Sequence, residues 1–402
     1  MKPRIRELCL HCKGSRLLCG EKTCPLLAKA QIKQSTELRL SEYMYGKSPS
    51  VFIGHHFYPN VYIGPMTALD GGAAELLDDP ARWYGSSLAE IINMRSKLLR
   101  SKKKQNIHTN NSFTQEIQEL ALASKPVYVE NTFKKKPSFA VSFSNINQPM
   151  GPSGELIKLS LTENPRIPAK VDAVVSDELS ARQATTKLYL KQYDVYYLTR
   201  ILSSGALGLE DKRRLVPTRW SITAVDDIIS KELMSQIRDY PSINEYLIHE
   251  NTYLDNHFMI LFMPGRWEFE QFEAWAPKTL WTQSATTPVI TQENEPYAGR
   301  TRYAHKQGGG YYAARFAVTE YLHRIKRQAR SVVFREISEG YVVPVGVWEV
   351  RENTRRALKK KPSKHDTLPK ALHHLKTKLK LPLKDYLTQS EVLRQKKMIE
   401  YI

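Results

Sequence analysis

Four cysteines lie within the first 24 residues, Cys9, Cys12, Cys19 and Cys24, and the remaining 378 positions hold none. The spacing C-x2-C-x6-C-x4-C gathers four thiolates into a span short enough to close a tetrahedron around one Zn²⁺. Gly14, Gly20 and Pro25 allow the backbone to bend around such an ion. His11 stands between the first two cysteines, but four thiolates already complete the ligand set. The expected metal is structural, because so short a segment has too little core to fold alone.

A second chemistry is suggested by the stretch Gly299–Arg315. Gly308, Gly309 and Gly310 precede a helical pattern and expose backbone N–H groups at its positive end, with Arg300, Arg302, His305, Lys306 and Arg315 close by in sequence. This is the makeup of a phosphate or pyrophosphate cradle, although it matches neither G-x-G-x-x-G nor a Walker loop. The same glycines also suit a tight turn that lets a helix pack on a sheet. Asp226, Glu268 and His305 are the acid–base candidates beside such a cradle. Helix capping for the aspartate and a solvated strand face for the glutamate are the structural alternatives. No Ser/His/Asp set and no H-E-x-x-H motif is present.

The last residues carry a third pattern, Gln395, Met398, Tyr401 and Ile402. One tight helical turn would place Met398, Tyr401 and Ile402 together as an apolar plug, with Gln395 at the rim of the receiving pocket. The arrangement resembles the sliding-clamp-binding peptide called a PIP box, except that Ile402 stands where a second aromatic is usual. An ordinary amphipathic terminus gives the same bare pattern.

The elements that must position these residues belong to a folded chain of 402 residues, 41 % hydrophobic and 25 % charged. The longest apolar run, Phe258–Met263, is far too short to span a bilayer, and the N-terminus has no apolar signal core; a cytoplasmic location is expected. Of the net charge of +19, +16 falls in residues 1–40 and 351–402. Basic ends around a nearly neutral body favour a polyanion such as nucleic acid, or serve solubility alone.

Periodicity predicts strands over Pro49–Gly54 and Tyr58–Pro65 and helices over Leu88–Leu99, Phe113–Ser124, Ser180–Tyr189 and Gly310–Arg330. The run Arg100–Gln105 reads as a basic helix end and loop. Thr223 with Asp226 reads as a variant capping box. Tyr253–Met263 and Trp267–Trp275 read as antiparallel strands, with Glu268 and Glu270 on one face, and Val332–Ile337 with Tyr341–Val350 as a strand pair around Gly340. The expected class is α+β: a zinc knuckle and basic linker over 1–40, a mixed body over 41–350, a basic helical appendage over 351–394 and the clamp peptide over 395–402.

Taken with the cysteine knuckle, the motifs Pro49–Gly54, Gly64–Met66, Pro149–Ser153, Leu161–Pro165, Val216–Asp227, Gly308–Arg315 and Pro344–Trp348 resemble the archaeal Nre proteins along nearly the whole chain. That resemblance implies a DNA-repair factor with an N-terminal zinc motif, here Cys9, Cys12, Cys19 and Cys24, and a C-terminal peptide for the PCNA clamp, here Gln395, Met398, Tyr401 and Ile402. It leaves the body open. Two further readings stand beside recruitment to DNA. One is an enzyme that binds a nucleotide or ADP-ribose-type pyrophosphate and cleaves a glycosidic or phosphoester bond by hydrolysis or phosphorolysis. The other is a non-catalytic interaction hub.

Overall fold

The computed structural model describes residues 39–138, 150–277, 282, 285–341 and 343–394. The chain divides into two compact units, Met1–Ile229 and Ser230–Ile402, so the stretch 41–350 read as one body contributes to both. Each unit carries a six-stranded mixed sheet with helices, an α+β architecture.

In the first unit, strands β1 (Tyr43–Ser48), β2 (Ser50–Ile53), β3 (Asn60–Ala68), β4 (Leu98–Asn106), β5 (Val127–Phe133) and β6 (Ser153–Leu161) stand in the order β1-β5-β6-β4-β3-β2. All neighbours are antiparallel except β4 and β6. The helices are α1 (Ala74–Leu77), α2 (Pro80–Trp83), α3 (Leu88–Ser96), α4 (Ser112–Leu122), α5 (Ala169–Ser176), α6 (Ala181–Leu190), α7 (Val195–Ser203) and the first part of α8 (Thr218–Ile237), whose last residues, from Ser230, fall in the second unit. Strand alternation in β5 turns Val127, Val129 and Phe133 into a core shared with Val61, Ile63, Phe113 and Ile117.

Local signals explain several boundaries. Ser87 and Glu90 form a capping box at the start of α3, as Ser180 and Gln183 do for α6. Two expectations are corrected here. The run Arg100–Gln105 is not a helix end but part of β4, where lysine stems lie along aromatic rings: Lys103 Nζ is 4.7 Å from the Phe113 centroid. Thr223 is not a cap, since α8 starts at Thr218, where the Pro217 carbonyl accepts from Trp220 and Ser221. Proline before the first turn sets that start, because it has no N–H to lose there.

In the second unit, β7 (Tyr246–Tyr253), β8 (Asn256–Met263), β9 (Glu268–Trp275), β10 (Val289–Glu295), β11 (Arg330–Ile337) and β12 (Ser363–His365) run in the order β10-β9-β11-β8-β7-β12. Strands β8 and β9 are antiparallel as expected but are not neighbours. β11, buried along its whole length, lies between them, antiparallel to β8 and parallel to β9. Its helices are α9 (Gly309–Ile325), α10 (Trp348–Lys359), α11 (Leu368–Lys378) and α12 (Leu383–Leu387). α9 ends earlier than its apolar pattern, at Lys326 in the left-handed conformation.

The expected strand over Tyr341–Val350 is not found among the described residues, and α10 begins within that stretch, at Trp348. Pro344 has no N–H for a sheet ladder, Gly346 turns the chain at φ +107, and the Trp348 indole donates to the Val345 carbonyl at 2.7 Å. The stretch read as a basic appendage is helical, and its apolar positions are built into the sheet. Ala371, Leu375, Leu379, Leu383, Tyr386 and Val392 pack on Met259, Leu261, Phe272 and Phe334. Among the described residues no helix is long and apolar enough to cross a membrane.

Candidate functional site

The glycine-rich loop sits at the start of α9 and is folded against β9 and β10. The Gln307 amide donates to the carbonyls of Gln271 (2.8 Å) and Thr291 (3.1 Å), and the Lys306 backbone N–H donates to Glu293 Oε1 at 2.9 Å. Gly308 adopts φ +55, a conformation that costs a residue with a Cβ, and its N–H reaches the Ala304 carbonyl at 2.6 Å.

Two of the expected anion-binding arginines face glutamates of the same unit. Arg300 donates to Glu293 Oε2 at 2.5 Å and to the Asn294 carbonyl at 3.0 Å, and its guanidinium lies 5.0 Å from the Tyr311 ring centroid. Arg315 donates to Glu295 Oε2 at 2.5 Å with both side chains 1 % exposed. The partners Glu293 and Glu295 alternate along β10 and so share a face. Arg302, His305 and Lys306 remain exposed, with the His305 ring against Tyr303 and Tyr303 stacked on Tyr312. An anion approaching the loop therefore meets the Arg302 and Lys306 cations and the His305 ring.

The first turn of α9 already receives a carboxylate. A Cβ on Gly310 would fall 2.7 Å from Glu273 Oε1, so glycine here lets Glu273 lie against the helix start. That same oxygen accepts from Arg335 Nη1 at 2.8 Å. Arg335 also donates to Asn256 Oδ1 at 2.9 Å and 2.7 Å and to Glu349 Oε2 at 3.4 Å. The Asn353 amide donates to Glu349 Oε1 at 2.8 Å. Burial pushes the Glu349 carboxyl up to about 7 against the opposing pull of Arg335. The sequence reading placed Glu273 beside the acid–base candidates Glu268 and Glu270, but missed Glu293, Glu295, Arg335 and Glu349. The alternation of Glu293 with Glu295 was the one signal available.

The three expected catalytic side chains stand in different surroundings. Asp226 is buried inside α8, within the first unit. Glu268 and His305 belong to the second unit. Glu268 accepts from Arg330 Nε at 2.6 Å on the sheet face opposite Glu273, beside a cleft of about 390 Å³ that Asn294, Glu391 and Arg394 also line. His305 is exposed on the loop.

Two buried carboxylates on that opposite face fix the chain just before its last residues. Glu270 Oε1 accepts from the Gln292 amide at 2.6 Å and the Glu391 N–H at 2.7 Å, and Glu270 also bonds the Ser390 hydroxyl. Burial raises its pKa. Glu336 accepts from the Lys380 and Leu381 N–H groups and the Tyr386 hydroxyl, each at 2.9 Å, and is 3.1 Å from His257 Nδ1. Burial opposes its charge, yet these bonds bring its pKa below the usual value. Cys9, Cys12, Cys19 and Cys24, and Gln395, Met398, Tyr401 and Ile402, lie outside the described residues. Among the described residues no group of three or more His, Cys, Asp or Glu is placed to hold a metal ion.

The chain is similar to three curated archaeal proteins. It is 34 % identical over 388 residues to the DNA repair protein NreB of Archaeoglobus fulgidus, covering 96 % of this chain and 97 % of that protein. It is 36 % identical over 367 residues to NreA of the same organism, covering 90 % and 92 %, and 36 % identical over 353 residues to NreA of Haloferax volcanii, covering 85 % and 84 %. No solved structure matches it. The family model described as archaeal Nre, N-terminal, matches residues 18–282, and that described as archaeal Nre, C-terminal, matches residues 295–401. With both models matched and the similarity running through nearly the full length, the chain belongs to the archaeal Nre family.

Proposed function

We propose that this chain is a DNA-repair factor brought to its substrate by the PCNA sliding clamp. The observation that carries the reading is its similarity, over most of its length, to relatives named DNA repair proteins. Gln395, Met398, Tyr401 and Ile402 form the clamp peptide, Cys9, Cys12, Cys19 and Cys24 bind one structural Zn²⁺, and the basic ends contact DNA in the cytoplasm. The anchoring of Ser390 and Glu391 by Glu270 supports the role given to the tail, since a recognition peptide is most useful when it leaves a fixed root.

The test is calorimetric titration of the full chain with PCNA. Met398→Ala/Tyr401→Ala removes two of the three apolar anchors and is expected to weaken binding at least about tenfold. Undiminished affinity in that double variant overturns the assignment of the tail.

A further inference from the structure

Three large aromatic side chains that a core would ordinarily bury stand in water on the first unit: Phe57 is 67 % exposed, Tyr58 45 % and Trp220 44 %. They are brought together by the hairpin between β2 and β3 and by the first turn of α8. The Ile53 N–H donates to Thr218 Oγ1 at 3.0 Å, tying that hairpin to the helix start, and the Tyr58 and Trp220 ring centroids lie 5.0 Å apart. Phe57 stands edge-on to Tyr62 at 6.2 Å. Its backbone holds φ +66, a region that is strained for a residue with a Cβ, and the ring gains little burial in return.

The surroundings are cationic. Lys104 Nζ lies 5.4 Å from the Phe57 centroid and is paired in register with Tyr62, and Arg219 precedes Trp220. His55 and His56 have ring centroids 4.1 Å apart. Burial first, and to a lesser degree the neighbouring His56 and Arg219, hold the His55 imidazole below its usual pKa.

Exposed ring faces beside cations suit a polyanion whose own ring faces are free. A duplex hides its bases in the stack, whereas a single strand offers each base for stacking and each phosphate for pairing. We propose that Phe57, Tyr58 and Trp220, with Lys104 and Arg219, form a binding surface for single-stranded DNA. The choice of DNA rests on the repair function proposed above.

The full chain tests this by fluorescence anisotropy at fixed salt with a labelled oligothymidylate of about 20 nucleotides, an oligouridylate of equal length and a duplex. Phe57→Ala/Trp220→Ala is expected to weaken oligothymidylate binding at least about tenfold while duplex binding changes less than about twofold. Lys104→Glu weakens it as well and lowers its salt dependence. Tyr45→Ala, which removes an exposed ring opposite Glu130 on β1 and β5, leaves it unchanged. Retention of full affinity by the double variant at an unchanged melting temperature overturns the proposal. Ring-dependent binding confined to oligouridylate overturns the assignment to DNA, and absence of single-strand binding by the unaltered chain overturns the surface altogether. Clamp binding does not involve these residues, so the titration with PCNA stands or falls separately.

Discussion

Arg335 on β11 and Glu273 on β9 form an ion pair of 2.8 Å across two parallel strands, with side chains only 7 % and 6 % exposed. The same guanidinium faces Glu349 from α10. One cation therefore joins two strands of the sheet to the helix that covers them, and it is held by the carboxamide of Asn256 as well.

Arg335→Met is expected to lower the stability of the protein by about 3–5 kcal/mol, because it leaves the buried Glu273 carboxylate without its cation and removes a donor from the Glu349 carboxyl. Urea unfolding followed by far-UV circular dichroism measures the change. A loss under about 1 kcal/mol counts against a central role for the pair.

The second prediction concerns pH. Glu349 holds its proton up to about 7 in the folded state, above the usual 4.5, because it is buried. Its native form therefore binds a proton that the unfolded chain has released, and its contribution to stability is fully present below about 4.5 and lost as the pH rises through about 7. One proton corresponds to a slope of at most about 1.4 kcal/mol per pH unit over that window. Comparing unfolding of the native chain and Glu349→Gln from pH 5 to 8 checks this: the variant is expected to lose less stability with rising pH. Parallel curves refute it.

The third prediction addresses the cysteines. One equivalent of zinc per chain is expected by elemental analysis, and its removal with a chelator is expected to release the metal without unfolding either sheet, since the described cores are built from residue 40 onward. Cys9→Ser/Cys12→Ser should abolish the bound metal. Full zinc content in that variant contradicts the four-cysteine site.

Much of the fold was legible locally. The pattern over Ser180–Tyr189 announces α6, and the apolar run Phe258–Met263 announces β8, because a period depends on residues a few positions apart. The placement of β11 between β8 and β9 was not legible, since a strand buried on both faces carries no mark of its neighbours. The site divides in the same way. Arg300 and Arg315 were visible as cations beside three glycines, but their partners Glu293 and Glu295 come from an adjacent strand. Tyr58 and Trp220 read as ordinary strand and helix residues and Phe57 as part of the link between two strands, and only their exposure sets the three apart.

By itself the sequence determined the α+β class, the uneven charge, the four-cysteine motif and the resemblance to the Nre family, all of which are written in residue type and short spacing. The tertiary structure alone decided that Glu273 lies against Gly310 and Arg335, that the segment after Asn353 completes the second core, and that the Tyr58 and Trp220 rings meet in water beside an exposed Phe57. These depend on strand order and on the packing of residues as much as 165 positions apart, such as Ile53 and Thr218, which no local pattern encodes.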